Sequence, residues 1–211
     1  MYLPIMLDMK GRKAVVAGGG RAAVRKIQAL LSGGAFVTVI SPAGSAQLEK
    51  WAAAGQIKWL RRAWQEGDAR GAFLTFAATD DAELNTEIAG QAGPNQLVHI
   101  ADDYEQGDFI LPAVLRRGRL TLSVSTGGAS PGLARQIRDS LSDQLPEDTE
   151  TWLEFLFQAR RKIRQRLHDP ESKKKCFKKM MDPAFRQPER QAELLADVDG
   201  FIRICLTGGT F

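Results

Sequence analysis

Lys13-Ala14-Val15-Val16-Ala17-Gly18-Gly19-Gly20-Arg21-Ala22-Ala23-Val24 joins a small apolar run to a triple glycine and then to a helical pattern continued by Ile27, Leu30 and Leu31. Counted to Ala23, the spacing is G-x-G-x-x-A. In a strand-to-helix turn such glycines let the backbone bend tightly and let a pyrophosphate approach bare peptide, while the helix N-terminus faces the negative charge. The stretch predicts a dinucleotide cradle with Gly18, Gly19, Gly20, Arg21 and Ala22 along the cofactor. Glycine-rich turns also arise for geometric reasons alone, so the neighbouring sequence has to weigh between the two.

A second strand-like run, Phe36-Val37-Thr38-Val39-Ile40, follows after Gly33-Gly34 and completes a βαβ unit of roughly thirty residues. At its end, where an Asp or Glu usually binds a ribose hydroxyl, stand Ser41, Pro42 and Ala43. No Arg follows immediately to catch a 2′-phosphate. The pattern leans toward NAD over NADP without deciding between them, and it places Ser41, Pro42 and Ala43 beside the cofactor.

Further strands are expected at Ile57–Leu60, Phe73–Ala77 and Leu97–Ile100, with a helix over Gln47–Ala54 and another, capped by Thr79 or Asp80, that carries Leu84, Ile88 and Ala92 on one face. Alternation of apolar strands with helices argues for a parallel sheet covered on both faces. Residues 1 to about 112 thus form one Rossmann-like α/β unit, with Thr79 and Asp80 at its ligand edge. After it the pattern changes. Phe109–Leu111 and Leu120–Ser125 are strand-like around a turn at Arg116-Arg117-Gly118-Arg119, and Ser130-Pro131 opens a helix expected to bury Leu133, Ile137 and Leu141. Beyond Pro146 the strands disappear. Trp152, Phe155, Leu156, Ala159 and Ile163 mark one amphipathic helix, and Leu194, Leu195, Val198, Phe201 and Ile202 mark another.

With 211 residues, 44% hydrophobic and 26% charged, the chain can bury a proper core in one or two domains. No run approaches the roughly eighteen apolar residues of a membrane span, and Met1-Tyr2-Leu3-Pro4-Ile5 lacks the basic region of a signal peptide, so the expected location is the cytoplasm without a membrane partner. Cys176 and Cys205 are far apart in sequence and form no C-x-x-C pair, which favours reduced structural thiols. The net charge of +4 hides an asymmetry: Arg160 to Arg190 hold twelve Lys or Arg against four Asp or Glu. That excess is either a solvated face or a site for an anionic partner. Zinc-finger spacing and an aromatic-interleaved RNP pattern are both missing, which counts against nucleic acid and leaves an acidic small molecule as the competing candidate.

Several stretches together resemble the precorrin-2 dehydrogenases, enzymes of siroheme biosynthesis. They are Leu3-Pro4-Ile5 with Leu7, Val16 to Gly20 with Ala22 to Lys26, Ala77-Ala78-Thr79-Asp80-Asp81 with Leu84-Asn85, and His99-Ile100-Ala101-Asp102-Asp103 leading to Asp108 to Ala113. Ser125-Thr126-Gly127-Gly128-Ala129-Ser130-Pro131 with Leu133-Ala134-Arg135 completes the likeness, which is specific to about residue 150 and looser beyond. The resemblance implies an NAD-binding domain over 1–112, a dimerisation region over 113–147, a helical domain over 148–211 and a homodimer. It implies oxidation of precorrin-2 to sirohydrochlorin with NAD as hydride acceptor; some members also insert ferrous iron. In the family an Asp after the strand that follows the T-D-D helix is tied to activity, and that motif falls on Asp102, with Asp103 behind it.

The adjacent carboxylates of Asp102 and Asp103 follow a predicted parallel strand at the edge where open α/β sheets place their ligand crevice. Neighbouring side chains on extended backbone point to opposite sides, so one of the two faces the cofactor and the other is suited to cap the turn Tyr104 to Gly107. Asp102 is the favoured catalytic residue. His99, alternating with apolar residues, is expected to be a core or crevice histidine rather than a metal ligand, and without a His or Cys cluster no resident metal is expected.

The segment Ser125, Thr126, Gly127, Gly128 and Ser130, with Arg135, is suited to the carboxylate arms of a tetrapyrrole, and Arg116, Arg117 and Arg119 lie nearby. Equally, Gly127-Gly128 serves as the turn into the following helix. Two other functions stay open at this level: an NAD-sensing regulatory domain without chemistry, which needs no carboxylate at the crevice, and a dehydrogenase for another acidic substrate.

Overall fold

The computed structural model describes residues 2–101, 103 and 105–208. Two compact units make up the chain, Met1–Leu111 and Pro112–Phe211. In the first, β1 (Lys13–Ala17), α1 (Arg21–Ser32), β2 (Phe36–Ile40), α2 (Ala46–Ala53), β3 (Ile57–Leu60), β4 (Leu74–Ala77), α3 (Ala82–Gly90) and β5 (Leu97–Ile100) alternate as the apolar runs predict. The sheet is wholly parallel in the order β3-β2-β1-β4-β5. The chain runs outward to one side of β1 and then returns to its other side at β4. That reversal makes a topological switch point at the carboxyl ends of β1 and β4, where such sheets bind ligands.

Burial explains the strands. Val15, Val16, Ala17, Val39, Phe76 and Ala77 are all buried, because helices cover both faces. On one face Ile27 and Leu30 of α1 pack with Val16, Val39, Leu48 and Phe76; on the other, Ile88 of α3 packs with Val98 and Ile100. Each such aliphatic side chain stabilises the fold by about 1.5–3 kcal/mol. The N-cap of α3 is Asp81, whose carboxylate accepts from Leu84 N at 3.0 Å, and not the expected Thr79 or Asp80. Thr79 instead turns inward to Asn85, which is described below.

The second unit opens with an antiparallel hairpin of β6 (Ala113–Arg117) and β7 (Leu120–Val124), followed by α4 (Pro131–Asp143). The expected strand at Phe109–Leu111 is absent, and Arg116 and Arg117 belong to β6 rather than to its turn. Phe109 is held by ring packing instead of a ladder: its ring lies edge-on to Phe76 at 5.5 Å and to His99 at 5.6 Å. Leu133, Ile137 and Leu141 are not buried as their spacing predicts. They are 48%, 40% and 39% exposed and form a stripe along α4.

Helices α5 (Thr149–Arg166), α6 (Pro170–Lys179), α7 (Pro188–Ala196) and α8 (Val198–Thr207), with a short 3-10 turn at Pro183–Arg186, complete the chain. Trp152, Phe155, Leu156, Ala159 and Ile163 of α5 form their core with Cys176, Met180, Phe185, Leu194 and Phe201. The single expected helix through Leu194 and Ile202 is two, because the Asp197 carboxylate accepts from Gly200 N at 2.8 Å and starts a new helix.

Candidate active site

Three loops meet at the carboxyl edge of the parallel sheet. Gly18, at φ +110°, lies so close to the Ala78 carbonyl and Thr79 N that a Cβ there has no room. Gly19 is likewise pressed against the Ala43 carbonyl, Gly44 Cα and the Ser41 hydroxyl. Its carbonyl accepts from Ser45 N at 3.3 Å, which ties the glycine loop to the segment after β2. Gly20 is different. A Cβ on Gly20 meets nothing within 4 Å, so its Cα faces open space at the start of α1.

Gly20 is also the N-cap of α1, and it has no side chain with which to cap. The first turn, Arg21, Ala22 and Ala23, holds no acidic residue, leaving helix-end N–H groups and the positive end of the dipole toward that space. Arg21 and Ala22 are exposed there. This is the cradle that a dinucleotide pyrophosphate requires, so the residues present fit NAD.

Ser41, Pro42 and Ala43 form the wall on the β2 side. Ser41 is buried, its hydroxyl donates to the Ala43 carbonyl, and its own carbonyl accepts from Trp59 Nε1 at 3.0 Å. Ser41 thus shapes the wall from inside, while Pro42 and Ala43 are exposed on it. On the β4 side, Thr79 Oγ1 donates to Asn85 Oδ1 at 2.7 Å, and Thr79 N reaches the same oxygen at 3.1 Å. Asn85 Nδ2 returns a bond to the Thr79 carbonyl at 3.2 Å. Asn85 is fully buried and locks the turn, leaving Asp80 exposed at its tip. Sequence reasoning did not single out this role of Asn85; its signal was a buried-face amide six residues after Thr79 on a helix that faces the sheet.

Beyond β5, Asp103 accepts from Glu105 N at 3.0 Å and from Gln106 Nε2 at 2.7 Å. Its carboxylate caps the turn, the role expected of one of the two adjacent aspartates. Asp102 lies outside the described residues. Val98 and Asp108 exchange two 2.8 Å hydrogen bonds, Val98 N to Asp108 Oδ2 and Asp108 N to the Val98 carbonyl, which cover the outer edge of β5.

His99 is buried between Phe76 and Phe109, at 5.5 and 5.6 Å between ring centroids. Its Nδ1 has no hydrogen-bond partner among the described residues. Burial first, and then the charge of Lys26, push its pKa down to about 4, so the ring is neutral near pH 7. Burial likewise lowers Lys26, with Arg25 adding to the effect. Among the described residues no three His, Cys, Asp or Glu gather as a metal site.

In the second unit, the segment before α4 is knit together by its own side chains. Ser125 Oγ accepts from Gly127 N at 3.2 Å, Thr126 Oγ1 from Ser130 N at 3.0 Å, and Ser130 Oγ caps α4 by accepting from Leu133 N at 3.2 Å. Gly127 and Gly128 have φ of +62° and +92°. The acceptor sides of these hydroxyls therefore build the turn. Of the arginines near this segment, Arg117 donates toward the Leu145 carbonyl at 3.4 Å and Arg119 pairs with Glu154 at 2.6 Å over the Phe157 ring. These two are committed to the fold rather than free for substrate arms. Arg116 and Arg135 are exposed and form no ion pair among the described residues.

A family model for putative NAD(P)-binding proteins matches residues 5–113, one for the sirohaem biosynthesis protein central region matches 117–144, and one for the SirC C-terminal domain matches 150–194. A precorrin-2 dehydrogenase of Priestia megaterium is 35% identical over 199 residues, 93% of this chain and 98% of that protein. One from Bacillus subtilis is 37% identical over 76% of this chain and 99% of its own length. A siroheme synthase of Nitrosococcus oceani is 35% identical over 99% of this chain, which spans 44% of that protein. The solved structure of SirC, a precorrin-2 dehydrogenase, matches with a TM-score of 0.82 at 34% identity, covering 95% of this chain and 100% of that one. The glycine cradle, β7 with α4, and the helical bundle as far as Leu194 fall in turn under these three models, and with full-length likeness of this degree the chain belongs to the precorrin-2 dehydrogenase family.

Proposed function

We infer that this chain oxidises precorrin-2 to sirohydrochlorin, with NAD taking the hydride. The observation that carries the cofactor half is the contrast among the glycines: Gly18 and Gly19 are pressed against backbone, whereas Gly20 opens onto an uncapped helix start. NAD, when bound, supplies a two-electron acceptor at its nicotinamide. The protein's share is to bind and orient it and to take the proton that leaves with the hydride. Gly19, Gly20, Arg21 and Ala22 hold the pyrophosphate through backbone N–H groups, and Gly18, whose own N–H donates to the Ile40 carbonyl at 2.9 Å, makes the tight turn before them; Ser41, Pro42 and Ala43 stand on one side and Thr79 and Asp80 on the other. For the proton we assign Asp102.

Ser125, Thr126, Gly127, Gly128 and Ser130, with Arg116 and Arg135, are the proposed contacts for the acetate and propionate arms. The exposed Leu133, Ile137 and Leu141 stripe is the proposed homodimer face, since a lone helix does not keep such a stripe in water without cost. Among the described residues no helix is long and apolar enough to cross a membrane. The unpaired thiols of Cys176 and Cys205 favour the reducing cytoplasm.

Anaerobic incubation of purified protein with precorrin-2 and NAD, followed optically, tests the reading. An NAD-dependent conversion is expected, and its absence would refute dehydrogenase activity. Asp102→Ala is expected to abolish conversion while leaving NAD affinity nearly unchanged; unaltered turnover would favour the sensor reading of the Rossmann unit. A second arm with sirohydrochlorin and ferrous iron as substrates tells a dehydrogenase from a protein that also inserts iron.

A further inference from the structure

The second unit contains a groove outside the residues assigned above to cofactor and substrate. About 600 Å³ in volume, it lies open between α5 and α6 and is lined by Arg164, Pro170, Lys173, Lys174, Phe177 and Lys178. Four of these six side chains are cationic and none is acidic. The Phe177 ring forms an apolar wall, with the guanidinium groups of Arg160 and Arg164 at 4.0 and 5.8 Å from its centroid.

Partnering separates these cations from others on the same helices. Arg166 pairs with Asp199 at 3.1 Å, Lys179 approaches Asp182 at 3.9 Å, and Lys162 donates to the Leu195 carbonyl at 2.7 Å. Arg164, Lys173, Lys174 and Lys178 form no ion pair among the described residues. Two acids stand at the start of α6: Asp169, its N-cap, accepts from Ser172 N at 2.8 Å and its charge also acts on Lys173, and Glu171 lies in the first turn. Crowding like charges on one helix face costs stability unless an anion is present to offset it.

Scale selects the anion. Lys173 to Lys178 span about 7.5 Å of α6 at its rise per residue. That matches the carboxylates of one small molecule and covers only about two phosphates of a single nucleic-acid strand. Single-stranded nucleic acid also needs free aromatic faces for its bases, and the Phe177 face is occupied by arginine.

We propose that this groove binds a polycarboxylate small molecule, and that the carboxylate arms of a tetrapyrrole are its natural occupant. The choice of tetrapyrrole rests on the function inferred above; the polycarboxylate site rests on the groove. Arg164 and the three lysines meet the carboxylates.

Lysine footprinting tests this on the full chain. The protein is acylated with and without uroporphyrin, a planar tetrapyrrole bearing eight carboxylates, and modification is read by mass spectrometry. Lys173, Lys174 and Lys178 should be protected severalfold, with Lys50 and Lys58 of the other unit unchanged. Coproporphyrin, with four carboxylates, should protect them less. The combined Lys173→Gln, Lys174→Gln and Lys178→Gln variant, chosen because Gln is compatible with an exposed helix, should bind uroporphyrin about tenfold more weakly, with NAD affinity unchanged. No selective protection, or protection by a single-stranded oligonucleotide but not by uroporphyrin, overturns the proposal. Protection in a protein that fails to oxidise precorrin-2 would leave the groove standing and remove the dehydrogenase reading.

Discussion

Replacing His99 with Phe should remove much of the acid sensitivity of the first unit. His99 is only 9% exposed, and burial with the charge of Lys26 lowers its pKa from the ordinary 6.5 to about 4. A displacement of that size corresponds to about 3 kcal/mol of protonation free energy. The direction follows from which state takes the proton. Below pH 6.5 the unfolded chain protonates His99, whereas the folded chain does not until about pH 4. Stability from this group is therefore complete above 6.5, falls as pH drops through that window and is spent below about 4. Between pH 7 and pH 5 the linkage relation gives a loss of about 2 kcal/mol.

Carboxylates that titrate in the same range do so in parent and variant alike, so the difference between the two isolates the histidine. Phe suits the site because the ring already packs with Phe76 and Phe109 at 5.5 and 5.6 Å. Urea unfolding at pH 7 and pH 5, read through protection of the β4 and β5 amides, reports on the first unit alone. The parent should lose about 2 kcal/mol more than His99→Phe between the two pH values. Equal losses would show that the imidazole is solvated when folded and would refute its assignment to the core.

Gly20→Ala should leave the melting temperature almost unchanged, since its Cβ meets nothing, yet weaken NAD binding at least about tenfold by filling the cradle; unchanged affinity by calorimetry would move the pyrophosphate elsewhere. Asp103→Asn keeps an oxygen acceptor for Glu105 N and should retain most activity, whereas Asp103→Ala should loosen the turn and lower kcat, a split readable in steady-state assays. Paired Leu133→Asp and Ile137→Asp substitutions should shift the protein to the monomer mass in light scattering, and an unshifted mass would rule out the α4 stripe as the dimer face. Burial pushes the Cys176 thiol up, and burial with the neighbouring Cys176 sulfur pushes Cys205 up to about 12, so thiol reagents at pH 8 should label the native protein at least about a hundredfold more slowly than the denatured one.

The parallel sheet was legible because its strands are short apolar runs separated by helical periods and glycines, and both signals arise from burial on two faces. Strand β6 was not. Its sequence Ala113-Val114-Leu115-Arg116-Arg117 ends in charges, while the more apolar Phe109–Leu111 drew the strand assignment although Phe109 spends its ring on Phe76 and His99. Helix α6 was hidden by its lysines, though Asp169-Pro170 is a cap followed by proline at the first helical position. The periodicity of Leu133, Ile137 and Leu141 correctly marked an apolar face; nothing in a periodicity says what covers it. Adjacent Asp102 and Asp103 promised one carboxylate for the turn, and only coordinates identify Asp103 as that one.

The end of β2 carries a last consequence for cofactor choice. In related units an acid there accepts a bond from the ribose hydroxyl and also repels a 2′-phosphate. Ser41 does neither, because its hydroxyl is spent on the Ala43 carbonyl and its side chain is buried. Arg61, just after β3, stacks on Trp59 at 4.1 Å and pairs with Glu49, so it offers no free charge to recruit the phosphate. Lacking both repulsion and attraction, the wall should discriminate weakly: NAD binds, and NADP should bind within about tenfold of it, a difference under about 1.4 kcal/mol. Pro42→Asp, which places a carboxylate on the exposed part of the same wall, should widen the gap by weakening NADP and sparing NAD. Calorimetric titration of both cofactors decides the matter, and a preference beyond about a hundredfold in the parent chain would mean that a charged group other than those of this wall reads the ribose.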